Sequence, residues 1–165
     1  MMKLTVFLIC CLSGTVMHFL FKPLGSPKLL APFLPVSASP WEHYKMAFWP
    51  LCAGMVYLGL KLGMGAPAIL CACFCAAFHA GCTMFGIFFF YVSALETGRY
   101  ILWLDIASYF LTMTLGFRIG LRALYSQPGR ILGGLAALGL WALMHMLIRF
   151  TFRPPNRPLF QLGNR

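Results

Sequence analysis

Acidic residues are almost missing from this chain. Of 165 residues only three are Asp or Glu (Glu42, Glu96 and Asp105), against 13 Lys and Arg. Charged residues of both signs make up 10% of the chain, where a soluble domain carries about 25%. With 61% hydrophobic residues and a mean hydropathy of +0.82, the composition excludes an ordinary water-soluble domain and predicts an integral membrane protein. The net charge of +10 follows from the scarcity of acids rather than from many bases. No basic stripe interleaved with aromatics stands on a polar face, which argues against nucleic acid as a partner. Basic loops and a basic tail suit membrane lipid headgroups instead; protein partners are left unspecified.

Other absences narrow the reading further. There is no internal repeat, so an inverted-repeat transporter is not suggested. There is no His-Glu-x-x-His metalloprotease motif. No small-x-small cleavage site follows the apolar N-terminal run, which is read as a retained helix rather than a signal peptide. The seven cysteines (10, 11, 52, 71, 73, 75 and 82) all lie inside apolar stretches, where a thiol acts as a small hydrophobe. They do not form a disulfide framework.

What remains is apolar run after apolar run. About 20 helical residues cross a hydrocarbon core of ~30 Å, and five stretches have that length. They cover about residues 4–21, 39–62, 66–95, 100–117 and 131–152. The predicted fold is therefore all-α, a polytopic bundle of about five transmembrane helices in one membrane domain spanning 1–165. Turn residues separate the stretches: Gly63 and Gly65, then Glu96-Thr97-Gly98, then Ser126-Gln127-Pro128-Gly129. A Pro-rich connector, 22–38, carries Leu29, Leu30, Phe33 and Leu34 and is expected to lie on the membrane surface or over the bundle. A basic, Pro-containing tail covers 153–165.

Five crossings put the termini on opposite sides. The N-terminal side then holds Lys3, Lys61, Arg118, Arg122 and Arg130. The far side holds Lys22, Lys28, Lys45, Arg99, Arg149, Arg153, Arg157 and Arg165. The count alone makes the far side cytoplasmic by the positive-inside rule, while the basic flank of the first helix argues the reverse.

The alternating helix directions gather the polar residues. The first helix reaches the far side with His18 about 6 Å short of its end, and the second starts there with Glu42 and His43. The fourth also starts there, with Asp105 roughly 9 Å inside, and the fifth ends there with His145 at a similar depth. Asp105, Ser108, Tyr109 and Thr112 follow i, i+3, i+4, i+7 and form one polar stripe, which belongs toward a bundle interior. Within one layer this permits a metal site of His18, His43 and His145, since neutral imidazole suits zinc. Glu42 would act as general base on a metal-bound water and Asp105 as the group that orients it. Such a site would serve a hydrolase or transferase acting on a lipophilic or lipid-linked substrate. The same residues could instead relay protons in a small carrier.

A plainer account stands beside each of these. Ser39-Pro40-Trp41-Glu42 reads as a capping box, with Ser at N-cap, Pro at N1 and Glu at N3. Trp41 reads as an interfacial anchor, and Lys45 as the i+3 partner of Glu42. A non-catalytic membrane accessory protein would need no more. In the third stretch Cys71, Cys75, His79 and Cys82 share a face and resemble soft metal ligands. The Ala68, Ala72, Ala76 and Ala80 series reads as helix packing. Pro50 should kink the second helix and free the carbonyl of Met46.

Pro35-Val36-Ser37-Ala38-Ser39-Pro40-Trp41-Glu42-His43, followed by Lys45, resembles the Pro-Val-Asn-Glu-Ser-x-Trp-Glu-His-x-Lys signature of the bacterial domain-of-unknown-function 6512 family. Three further segments agree: Gly14 with His18-Phe19, then Trp103-Leu104-Asp105-Ile106, then Phe150-Thr151-Phe152 through Pro154-Pro155 to Pro158-Leu159-Phe160. The departures are Ser37 and Ala38 for the Asn and first Glu, and Gln161 for an Asp. The resemblance implies a small polytopic cell-membrane protein without assigned activity. It also implies an N-terminus inside, which would place the polar layer at the outer face.

Overall fold

In the computed structural model, which describes residues 1–37, 39–95 and 102–161, the chain forms five long helices and one short one. These are α1 (Met2–Leu20), α2 (Pro40–Lys61), α3 (Ala66–Leu95), α4 (Leu102–Tyr125), α5 (Arg130–Phe152) and α6 (Pro158–Gln161). No strand occurs among the described residues. The Glu96-Thr97-Gly98 turn, Ala38, Arg99 to Ile101 and the tail after Gln161 lie outside them.

The expectation of five membrane spans is narrowed. Among the described residues three helices are long and apolar enough to cross a membrane: Met2–Leu20, Ala66–Phe90 and Arg130–Phe152. The reason lies in the packing. Helix α2 carries Glu42, His43, Lys45 and Lys61, and it packs against all five other helices or their ends. Its first half is enclosed by protein, and its second half buries one face through Leu51, Met55 and Leu58 while Val56, Tyr57 and Leu60 are exposed. A helix whose charged end is enclosed in this way need not be apolar all round. Helix α4 likewise carries Asp105, Arg118 and Arg122.

Helix α4 also runs eight residues beyond the predicted 117, to Tyr125. Its inner face stays useful to the end, with Phe117 and Leu124 buried and Gly120 set against Ala72, Ala76 and Met55. Arg118 and Arg122 leave on the exposed side. Small residues let α3 and α4 approach closely. Ala72, Ala76 and Ala80 are fully buried, and Gly116 meets Leu51, the Ala76 carbonyl and Ala80. Between α2 and α3, Gly63 takes a left-handed φ of 64° and Met64 N–H closes back on the Gly59 carbonyl at 2.9 Å. That is a Schellman-type stop, which favours glycine because a Cβ would be strained there.

Pro50 lies inside α2 and supplies no N–H to the carbonyl of Met46. Helix α1 docks on this spot. Gly14 faces the Met46 carbonyl and the Tyr109 hydroxyl so closely that a methyl group would overlap both. Tyr109 Oη donates to the Cys11 carbonyl at 2.9 Å, and Cys10 Sγ donates to the Pro50 carbonyl at 3.1 Å. A glycine, a thiol and a phenol thus hold α1 to the irregular part of α2. Gly14→Ala should therefore push α1 off this seat and cost about 1–3 kcal/mol, the usual range for overpacking. The check is a lowered thermal midpoint in detergent together with faster alkylation of Cys10.

Candidate functional site

The head of α2 is a polar node buried under the connector. Ser39 caps the helix, its hydroxyl accepting from Glu42 N–H at 3.3 Å. The second half of the expected capping box is absent, because Ser39 N–H donates to Ser37 Oγ at 3.4 Å. The Glu42 carboxylate is directed elsewhere. Its Oε2 accepts from Lys45 Nζ at 2.7 Å and from Val36 N–H at 2.8 Å; Thr151 Oγ1, whose proton goes to the Leu147 carbonyl at 2.7 Å, lies 3.4 Å from Oε1. Lys45 is 0% exposed, and its ammonium donates also to the Ala31 carbonyl at 2.7 Å. One ion pair therefore ties the second half of the connector, at Ala31 and Val36, to α2.

The connector lies over the bundle through these bonds. Phe21, Ala31 and Leu34 form a small buried cluster with Met17, Leu20 and Leu30. Trp49 Nε1 donates to the Pro32 carbonyl at 3.2 Å, while Leu29 stays exposed.

Trp41 is not an interfacial anchor. It is 5% exposed, stacked on Phe85 at 5.6 Å, with Phe150 at 5.3 Å and Phe160 at 5.1 Å. The basic tail accordingly contains a short helix, α6, whose Phe160 folds back onto the head of α2. Aromatic area at this position contributes more to packing than an interfacial ring would.

The five residues assigned to a site do not share one place. His18 and His43 meet, with ring centroids 5.0 Å apart and planes 35° from parallel. His43 Nδ1 lies 2.9 Å from the Ser39 carbonyl. A carbonyl only accepts, so Nδ1 carries the proton, and in the neutral ring the Nε2 lone pair is left available. His18 Nδ1 is shielded from solvent and has no hydrogen-bond partner. Asp105 is half-buried, with its Oδ2 shielded, and its own carbonyl accepts from Ser108 Oγ at 2.8 Å. The Tyr109–Cys11 bond sets the register of the antiparallel pair α1 and α4. Toward the α2 head from that bond lie Asp105, four residues before Tyr109 on α4, and His18, seven residues past Cys11 on α1, so the two stand at different depths.

His145 stands apart from these residues. It is exposed on α5, stacked on the exposed Trp141 at 5.6 Å, and lines a recess with Ile148, Arg149, Phe152 and Arg153. Glu42 is close in sequence to His43, but its Oε2 is engaged by Lys45 and Val36. Among the described residues no group of three or more His, Cys, Asp or Glu is arranged to hold a metal ion. In α3, His79 turns its Nδ1 to the Cys75 carbonyl of its own helix at 2.9 Å.

Comparison with known proteins fits this motif-bearing chain. Residues 2–163 match the group described as Family of unknown function (DUF6512). The chain belongs to this family. No curated protein and no solved structure matches it.

For this DUF6512 chain, residue-by-residue reading missed the Val36 N–H and the Ala31 carbonyl as partners of the ion pair, and Thr151 as a neighbour of Glu42. Thr151 and Phe160 both stand in segments that carried the resemblance, which was the available signal. The two backbone groups had none. The node makes a specific demand on stability. Glu42→Gln should strand the buried Lys45 ammonium and cost about 3–5 kcal/mol, while adding Lys45→Met should recover much of that loss. Thermal unfolding of the three variants in one detergent measures the cycle.

Proposed function

We propose that this is an integral membrane protein whose functional centre is the His18–His43 pair, holding one transition-metal ion near one membrane face. Membrane residence is supported by the three span-capable helices and by the outer surfaces of α1 and α5. There Leu8, Leu12, Phe19, Leu135 and Leu138 are each more than half exposed. A contiguous apolar belt of that kind suits hydrocarbon, not water.

The observation that carries the metal reading is the spacing of the two rings. Zinc binds imidazole nitrogen at roughly 2.0–2.1 Å, which puts the centroids of two tetrahedrally placed rings about 5 Å apart. The observed 5.0 Å leaves room for such an ion, at a distance that plain ring packing also gives between Phe33 and Trp49. The His43 Nδ1–H held by the Ser39 carbonyl is the usual outer bond of a ligating histidine, leaving Nε2 for the metal. Asp105 on α4 is assigned the outer role of orienting a ligand. His145 is left out of the ligand set. Glu42 is assigned a supporting role, because its Oε2 is engaged by Lys45 and Val36. With two protein ligands and open positions, the centre fits an enzyme that polarises part of a lipophilic substrate.

Zinc titration of the purified full-length protein tests this. One equivalent should bind in the wild type, and affinity should fall at least tenfold in His43→Ala and in His18→Ala, with thermal stability little changed. Absence of stoichiometric zinc, with pH-dependent flux into proteoliposomes that is lost in Asp105→Asn, would favour the carrier reading. Wild-type behaviour of all three variants in both assays would leave an accessory protein.

A further inference from the structure

Histidine 145 and its neighbours make a different kind of site. His145, Arg149 and Arg153 follow i, i+4, i+8 at the C-terminal end of α5, so they form one basic stripe down the helix end. With Ile148 and Phe152 they line an open recess of about 350 Å³, with no carboxylate side chain among the described residues that line it. All five side chains are exposed. The stripe continues inward along the span as apolar surface, with Trp141 62% and Leu138 66% exposed.

Charge and polarity therefore change along one helix face within three turns. The basic part lies where a span of this length meets the headgroups, and the apolar part lies where acyl chains run. Guanidinium groups bind phosphate oxygens through paired N–H donors, which makes two arginines one turn apart a good seat for a phosphodiester. A free phosphate would gain nothing from Ile148, Phe152 or Trp141. A lipid would place its glycerol and chains against them.

We propose that the recess of His145, Arg149 and Arg153 is a binding site for an anionic phospholipid, its headgroup phosphate held by the two guanidiniums and its chains lying along Trp141 and Leu138. This rests on the membrane residence proposed above and is independent of any metal at His18 and His43. Trp141 acts as a built-in reporter, since it flanks the site and stacks on His145.

The test uses the full-length protein reconstituted into phosphatidylcholine vesicles containing either brominated phosphatidylglycerol or brominated phosphatidylcholine, with tryptophan quenching as the readout. Brominated phosphatidylglycerol should quench at a several-fold lower mole fraction, and Trp141→Phe should remove that extra component. Arg149→Gln and Arg153→Gln should each weaken the preference by about fivefold, the value of one basic residue at an anionic surface. Equal quenching by the two lipids in the wild type would overturn the proposal without recourse to any variant. Loss of the preference on adding millimolar inorganic phosphate would overturn it in favour of a free-anion site. Failure of the protein to enter the vesicles at all would instead refute membrane residence.

Discussion

A buried ammonium cannot stand without compensation, and Lys45 is the point on which this architecture turns. Its charge is removed from solvent, so its donors must be met by the Glu42 carboxylate and the Ala31 carbonyl. Glu42 in turn needs more than one partner, and it finds Val36 N–H. The requirement to satisfy two charges thus determines where the second half of the connector lies. A hydrophobic pair of similar volume would fill the space without dictating that placement.

Around this node the packing divides by residue size. Small residues set the close helix contacts, with Ala72, Ala76 and Ala80 opposite Gly116 and Gly120, and Gly14 against the proline-interrupted turn of α2. Large aromatics fill the far end, where Trp41, Phe85, Phe150 and Phe160 cluster. The two regimes meet along α2, whose lower half accepts close neighbours and whose head carries the polar and aromatic load. The histidine pair sits at this junction, between the helix cap that orients His43 and the glycine seat that brings α1 near.

Helical architecture was legible because apolar runs bounded by Gly and Pro leave few alternatives to helix. Counting membrane spans from those runs was less secure. Helix α2 buries Glu42 and Lys45 at its head and exposes Val56, Tyr57 and Leu60 further on, a division that the length of an apolar run does not reveal. Alternating helix direction gathers the polar residues by depth, but rotation about each helix axis decides which of them meet. His18 and His43 turn toward each other, while His145, in a helix whose outer face is largely exposed, turns away. Trp41 was misjudged for a related reason: a tryptophan at a helix start suits an interface equally well until a distant segment, here α6, is known to cover it.

Glu42 and Lys45 are three positions apart, whereas the rings that cover Trp41 come from Phe150 and Phe160. The ion pair is thus internal to the first turns of α2, while the cover over that turn is supplied by the other end of the chain. A chain shortened before α6 would keep the ion pair and lose Phe160 from the Trp41 pocket.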